Sequence, residues 1–180
     1  LKQGLELEKR LGQNPYVLGV IGSTDSHTAL SSTEENNFHG KLATDSIPAN
    51  KNSGFNDDGP GATGWAMSAS GMAAVWTKSN TRSDIMDALE RREVYATTGP
   101  RISVQFYGGA GFTEADLQIA NLHDYATSRG VPMGGELSRA ETPSFIVFTA
   151  RDPEGANLDR IQIVKGWLDE TGKSHEKVFN

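Results

Sequence analysis

The apolar positions of this chain fall into short runs whose period changes along its length. Leu1, Leu5 and Leu11 share one face of "LKQGLELEKRLG", which predicts an amphipathic helix with Gly12 as its C-cap. After the Asn14-Pro15-Tyr16 turn, Val17-Leu18-Gly19-Val20-Ile21 is an apolar, β-branched run and predicts a buried strand. From Ser31 to Ser70 the chain is polar and rich in Gly, Asn, Asp and Ser. Loops that long inside compact domains tend to be functional or mobile. Gly71–Lys78, "GMAAVWTK", has strand character. "TRSDIMDALERREV" predicts a helix, with Thr81 and Asp84 in a capping-box pattern and Ile85, Ala88 and Leu89 as the buried stripe.

Beyond Gly99-Pro100 the pattern changes. "RISVQFYGG" alternates apolar and polar positions as a half-buried strand does, and a helix is expected over Thr113–Tyr125. A "GVPMGG" turn, a strand "SFIVFTARD" and a hairpin turning near Thr171-Gly172 complete the chain. The fold class is therefore α/β plus β-rich, with an α/β domain over residues 1–99 and a β-rich domain over residues 100–180. The chain opens without Met inside a helix and closes on "EKVFN", which reads as an unfinished strand. It is expected to be a piece of a longer parent, and the open sheet edge left by missing strands predicts a homodimer.

Composition narrows the functions. A length of 180 residues suits one domain or a domain and a half, and 36% hydrophobic with 22% charged residues is ordinary for a globular protein. A net charge of −6 argues against a nucleic-acid partner. No run approaches the ~18 apolar residues of a membrane span, so no membrane partner is expected. Cys is absent, which removes disulfides and thiolate chemistry but leaves the compartment open. No Gly-x-Ser-x-Gly elbow is present, so a serine-hydrolase nucleophile is unsupported.

Candidate chemistry begins where the first apolar run ends, in "GSTDSHTA". At the tip of an extended segment, residues i and i+2 point to one side, so Asp25 and His27 can converge on one metal ion. The competing reading is a helix N-cap or loop network built from Ser23, Thr24, Asp25 and Ser26. Ser23, Ser26 and Thr28 are candidates for contacts behind the two ligands. His39, in the long loop, is a candidate contributor, against the plainer reading of a surface histidine. Arg101, beside the Thr97-Thr98-Gly99 turn, is a candidate for an anionic substrate group. Gly59–Gly64 matches G-x-G-x-x-G but lacks the flanking strand and helix that give the pattern meaning, and Asn56–Gly59 reads as a solvated turn.

Four stretches, "GSTDSHTAL", "TRSDIMDALERREVYATTGPRI", "GVPMGG" and "ARDPEGANLDRIQIVKGW", resemble a large bacterial family of unknown function, domain of unknown function 3604. That family is related to the PHP (polymerase and histidinol phosphatase) metallohydrolases and to carbaryl-hydrolase-like enzymes. The resemblance implies the C-terminal segment of a PHP-like distorted (β/α)7 barrel followed by a truncated β-sandwich-like domain. It maps the last ligand motif of the barrel onto Asp25 and His27, with a divalent Zn, Mn or Fe in the parent. The earlier ligands would lie in the missing N-terminal part of the parent chain. His39 stands where an aromatic residue is usual, so no ligand role is carried onto it. The implied function is hydrolysis of a phosphoester, ester or carbamate of a small-molecule substrate by metal-activated water. On two ligands alone, this chain is expected to bind metal weakly and to be inactive. The alternative is a non-enzymatic β-rich binding module, which an exposed aromatic platform at Trp167 would favour.

Overall fold

The computed structural model describes residues 1–30, 32, 35–37, 39–44, 46–50, 52, 63–64, 67, 71–138 and 142–180. The Asn56–Gly59 turn lies outside them, as do most of the polar loop between Ser31 and Ser70 and the first part of the Gly59–Gly64 stretch. In chain order the main elements are α1 (Lys2–Leu11), β1 (Met72–Val75), α2 (Arg82–Glu90), β2 (Val94–Thr97) and β3 (Ser103–Ala110). They continue with α3 (Leu122–Arg129), β4 (Gly130–Pro132), β5 (Pro143–Ala150), β6 (Ile163–Leu168) and β7 (Ser174–Phe179). Among the described residues no helix is long and apolar enough to cross a membrane.

Two compact units emerge, Leu1–Leu18 with Ala156–Asn180, and Gly19–Gly155. In the first, α1 packs on the antiparallel β6–β7 hairpin. Gly12 ends the helix in the left-handed region at φ 78°, its N–H donating to the Glu8 carbonyl. Lys2 pairs with Glu176 at 2.7 Å, and Lys9 Nζ donates to the Glu170 carbonyl at 3.0 Å, so the helix is fastened to the hairpin at both ends. The turn is built on Asp169, which accepts from Thr171 Oγ1 at 2.6 Å and the Lys173 N–H at 3.0 Å.

In the second unit β1 and β2 form an antiparallel pair bridged by α2, and β4-β3-β5 form a second antiparallel sheet. Thr81 caps α2, its side chain accepting from the Asp84 N–H at 3.2 Å. The helix stops at Glu90, and Val94 enters β2. Ala88, Val94, Tyr107, Ala126 and Ile146 are buried. Gly99-Pro100, where the composition changes, lies within this unit. Bonds cross that junction: Trp76 Nε1 donates to the Val104 carbonyl at 2.7 Å, and the Tyr95 hydroxyl to the Ile102 carbonyl at 3.0 Å. Arg92 Nε and Nη2 both donate to the Gly134 carbonyl, at 3.0 and 2.9 Å.

The α/β and β-rich character is as expected, and among the described residues no closed barrel forms. Two local expectations are corrected. The helix over Thr113–Tyr125 is replaced by a 3-10 turn (Glu114–Gln118) and the separate α3. The chain straightens at Ile119, and the Asn121 side chain opens a new helix by accepting from the Asp124 N–H. The strand over Val17–Ile21 joins no ladder, and Leu18, Val20 and Ile21 are 64%, 60% and 55% exposed. From Gly19 on, the backbone still runs against β1 and β2. A Cβ on Gly19 would lie 2.9 Å from Val94 Cγ2, and one on Gly22 would lie 2.5 Å from the Met72 carbonyl oxygen. The glycines allow the approach, while the side chains between them face outward.

Candidate functional site

The segment from Ser23 to Thr28 alternates in exposure: Ser23, Asp25 and His27 face solvent, while Thr24, Ser26 and Thr28 are half-buried. Ser23, Thr24 and Thr28 accept from backbone N–H groups, and Ser26 bonds the Thr28 side chain. Ser23 Oγ accepts from the Asp25 N–H at 3.2 Å, and Thr24 Oγ1 accepts from the Ser26 N–H at 3.4 Å. Ser26 Oγ and Thr28 Oγ1 share a hydrogen bond at 3.0 Å, and Thr28 Oγ1 accepts from the Leu30 N–H at 3.3 Å. This is the loop network that the sequence offered as an alternative to metal binding, and it coexists with outward-facing ligand candidates. Asp25 has φ 53°, in the left-handed region that Asp tolerates better than most residues.

Asp25 Oδ1 and His27 Nε2 stand 3.2 Å apart, with side chains 60% and 56% exposed. The second carboxylate oxygen, Oδ2, pairs with Lys41 Nζ. Lys41 first and His27 second hold the Asp25 carboxyl below the usual carboxylate range. The backbone closes the same group, since the His27 N–H donates to the Lys41 carbonyl at 2.8 Å. Behind it lies Gly71, buried and at φ 48°, where a Cβ would come 2.4 Å from the Ser23 carbonyl oxygen. The start of β1 therefore sets the height of the Ser23–Asp25 backbone.

The donor set fits a divalent ion in spacing and falls short in number. Two donors bound side by side at about 2.1 Å from one ion stand roughly 3.0–3.4 Å apart, which brackets the Asp25–His27 separation. Among the described residues no group of three His, Cys, Asp or Glu side chains gathers, so His39, which is exposed, completes no triad there.

The other candidates serve different ends. Arg101 lies two residues before β3, and its backbone N–H donates to Asp152 Oδ2 at 2.7 Å. His123 Nδ1 lies 3.1 Å from the hydroxyl of Tyr107, whose phenol is pushed up by burial and then by the Glu93 charge. The cavity beside them, walled by Trp76, Glu93, Tyr107 and His123, has about 10 Å³ of room, the size of a single water. His175 Nε2 bonds Asp169 Oδ2 at 2.7 Å, and its ring stacks on half-buried Trp167 with Lys165 Nζ 5.4 Å from the indole centroid. Trp167 is thus covered on the hairpin itself. Lys41 is the residue that sequence reasoning missed. It follows Asp25 by sixteen positions across an irregular loop, and no periodicity or spacing rule links the two.

The family described as "Protein of unknown function (DUF3604)" matches residues 1–180, and the chain belongs to it. No curated protein and no solved structure matches the chain.

Proposed function

We propose that Asp25 and His27 are two ligands of a divalent-metal site in a hydrolase of small-molecule phosphoesters, esters or carbamates. The observation that carries this reading is the 3.2 Å hydrogen-bonded approach of Asp25 Oδ1 and His27 Nε2 on the solvent-facing side of a segment whose Ser23 and Thr24 hydroxyls accept from its backbone. The resemblance of "GSTDSHTAL" to the last ligand motif of the PHP metallohydrolases supports it. Zn, Mn or Fe held there would supply an activated water and a Lewis acid. Asp25 would contribute a carboxylate, and His27 an imidazole nitrogen on a backbone whose N–H donates to the Lys41 carbonyl. Ser23 and Thr28 accept from the Asp25 and Leu30 N–H groups, and Ser26 bonds Thr28, behind the two side chains. A hydrolytic site needs at least three protein ligands and an open position for water. The described residues supply two, so the remaining ligands come from elsewhere.

Elemental analysis after loading with Zn, Mn or Fe tests the reading, with Asp25→Asn and His27→Ala beside the parent sequence. Metal retained by the parent and lost in both variants supports the site and justifies a screen of phosphoester, ester and carbamate substrates. Equal metal in all three, or none in any, overturns it.

A further inference from the structure

The β6–β7 hairpin gives one face to α1 and sets a row of bases and rings on the other. Gly166 and Glu176 meet Lys2, so they lie on the helix side. The register pairs Ile163 with Phe179, Lys165 with Lys177 and Trp167 with His175, all on the opposite side. Two ammoniums directly across a strand pair repel each other. Each leans away from the other onto a ring. Lys165 Nζ lies 5.4 Å from the Trp167 centroid, toward the turn, and Lys177 Nζ lies 4.8 Å from the Phe179 centroid, toward the open end. Among the described residues no carboxylate pairs with either lysine. Glu176 is committed to Lys2 on the helix side, and Asp169 to His175. The sheet has only two strands, so β7 also keeps an outer edge that bonds no further strand among the described residues. From Glu176 to Phe179 that strand is exposed.

We propose that the outer edge of β7 takes up an extended acidic peptide as a third strand, with a carboxylate of the peptide set against Lys177. An added strand satisfies the open backbone groups, and its side chains alternate between the two faces. The residue opposite Lys177 then falls on the basic face, where a carboxylate offsets the lysine repulsion. Its neighbour two positions along meets the exposed ring of Phe179. A second copy of β7 is the poorer occupant, since pairing about position 177 would set lysine against lysine. This inference does not rest on the metal reading.

The test uses the whole 180-residue chain. Short labelled peptides alternating Glu with Thr, or Lys with Thr, are titrated by fluorescence anisotropy, beside a Glu/Thr peptide interrupted by proline. The Glu/Thr peptide is expected to bind and to move the backbone amide resonances of Ser174–Phe179 most. Lys177→Glu is expected to bind it about fivefold more weakly, the upper range for a cross-strand charge pair. The same variant is expected to take up the Lys/Thr peptide instead, an exchange that loss of structure would not produce. Lys177→Gln serves as the second variant should Lys177→Glu lose its circular-dichroism signature. Equal binding of the proline-interrupted peptide would mean charge attraction without strand addition, and overturns the proposal. Glu/Thr binding unchanged in Lys177→Glu overturns it too. A chain that sediments as a dimer and takes up no peptide has given the edge to a second copy, and a monomer that takes up none has no such site; either result overturns the proposal.

Discussion

The N–H of His27 donates to the carbonyl of Lys41 at 2.8 Å, while the Lys41 ammonium turns back onto Asp25. One residue of the polar loop thereby touches both ligand candidates, one through its backbone and the other through its side chain. The group is held by bonds to the main chain and not by burial, since Asp25 and His27 are both more than half exposed.

The left-handed backbone at Asp25 separates conformation from charge. Most L-residues lose about 1 kcal/mol or more at such a φ, whereas Asn, like Asp, is tolerated there. Asp25→Ala should therefore lower the free energy of urea unfolding by about 1 kcal/mol. Asp25→Asn should stay close to the parent in stability. If both variants unfold alike, backbone strain at position 25 is not a factor.

Gly71 is the point where β1 meets the site. A Cβ there would stand 2.4 Å from the carbonyl oxygen and 2.6 Å from the nitrogen of Ser23, at a φ of 48°. Gly71→Ala should cost about 2 kcal/mol or more, since it combines a backbone clash with left-handed strain. Nuclear magnetic resonance should show Ser23–His27 amide shifts among the largest changes. A variant with parent-like shifts in that segment would show that Gly71 does not set its position.

Trp76 Nε1 reaches the Val104 carbonyl at 2.7 Å, tying the end of β1 to β3. Trp76→Phe keeps an aromatic ring but strips the donor from a half-buried carbonyl, a loss of about 1–2 kcal/mol. Denaturant unfolding measures the loss. A variant as stable as the parent would mean that water replaces the indole without penalty.

Asp169 carries the pH prediction. Thr171 Oγ1, then His175 and the Lys173 N–H, hold its carboxyl far below the usual range. A carboxyl depressed in the folded state contributes stability that is present above the unfolded value of about 3.9 and is lost as pH falls toward the folded value. Resistance to urea should therefore decline as pH drops below about 4, and decline less in Asp169→Asn. Parallel curves for the two proteins would remove Asp169 as the cause.

Local rules in the sequence determined much of this protein. Gly12 ends α1, Thr81 starts α2 through the Asp84 N–H, and Gly172 at φ 89° sits in the hairpin turn, because caps and turns are decided by residues only a few positions apart. Asp25 and His27 stand 3.2 Å apart by a different route from the extended spacing the sequence suggested, since the backbone at Asp25 turns into the left-handed region at φ 53°. Tertiary structure alone decided what those elements meet. Val20 and Ile21 have the composition of a core strand, yet burial requires a neighbouring surface and both face outward. The continuous helix over Thr113–Tyr125 failed for a nearer reason, as the chain is extended at Ile119 and the Asn121 side chain accepts from the Asp124 N–H to start a new helix. Lys41 reached Asp25 through an irregular loop, and without a repeating backbone geometry no pattern in the residues could announce that contact.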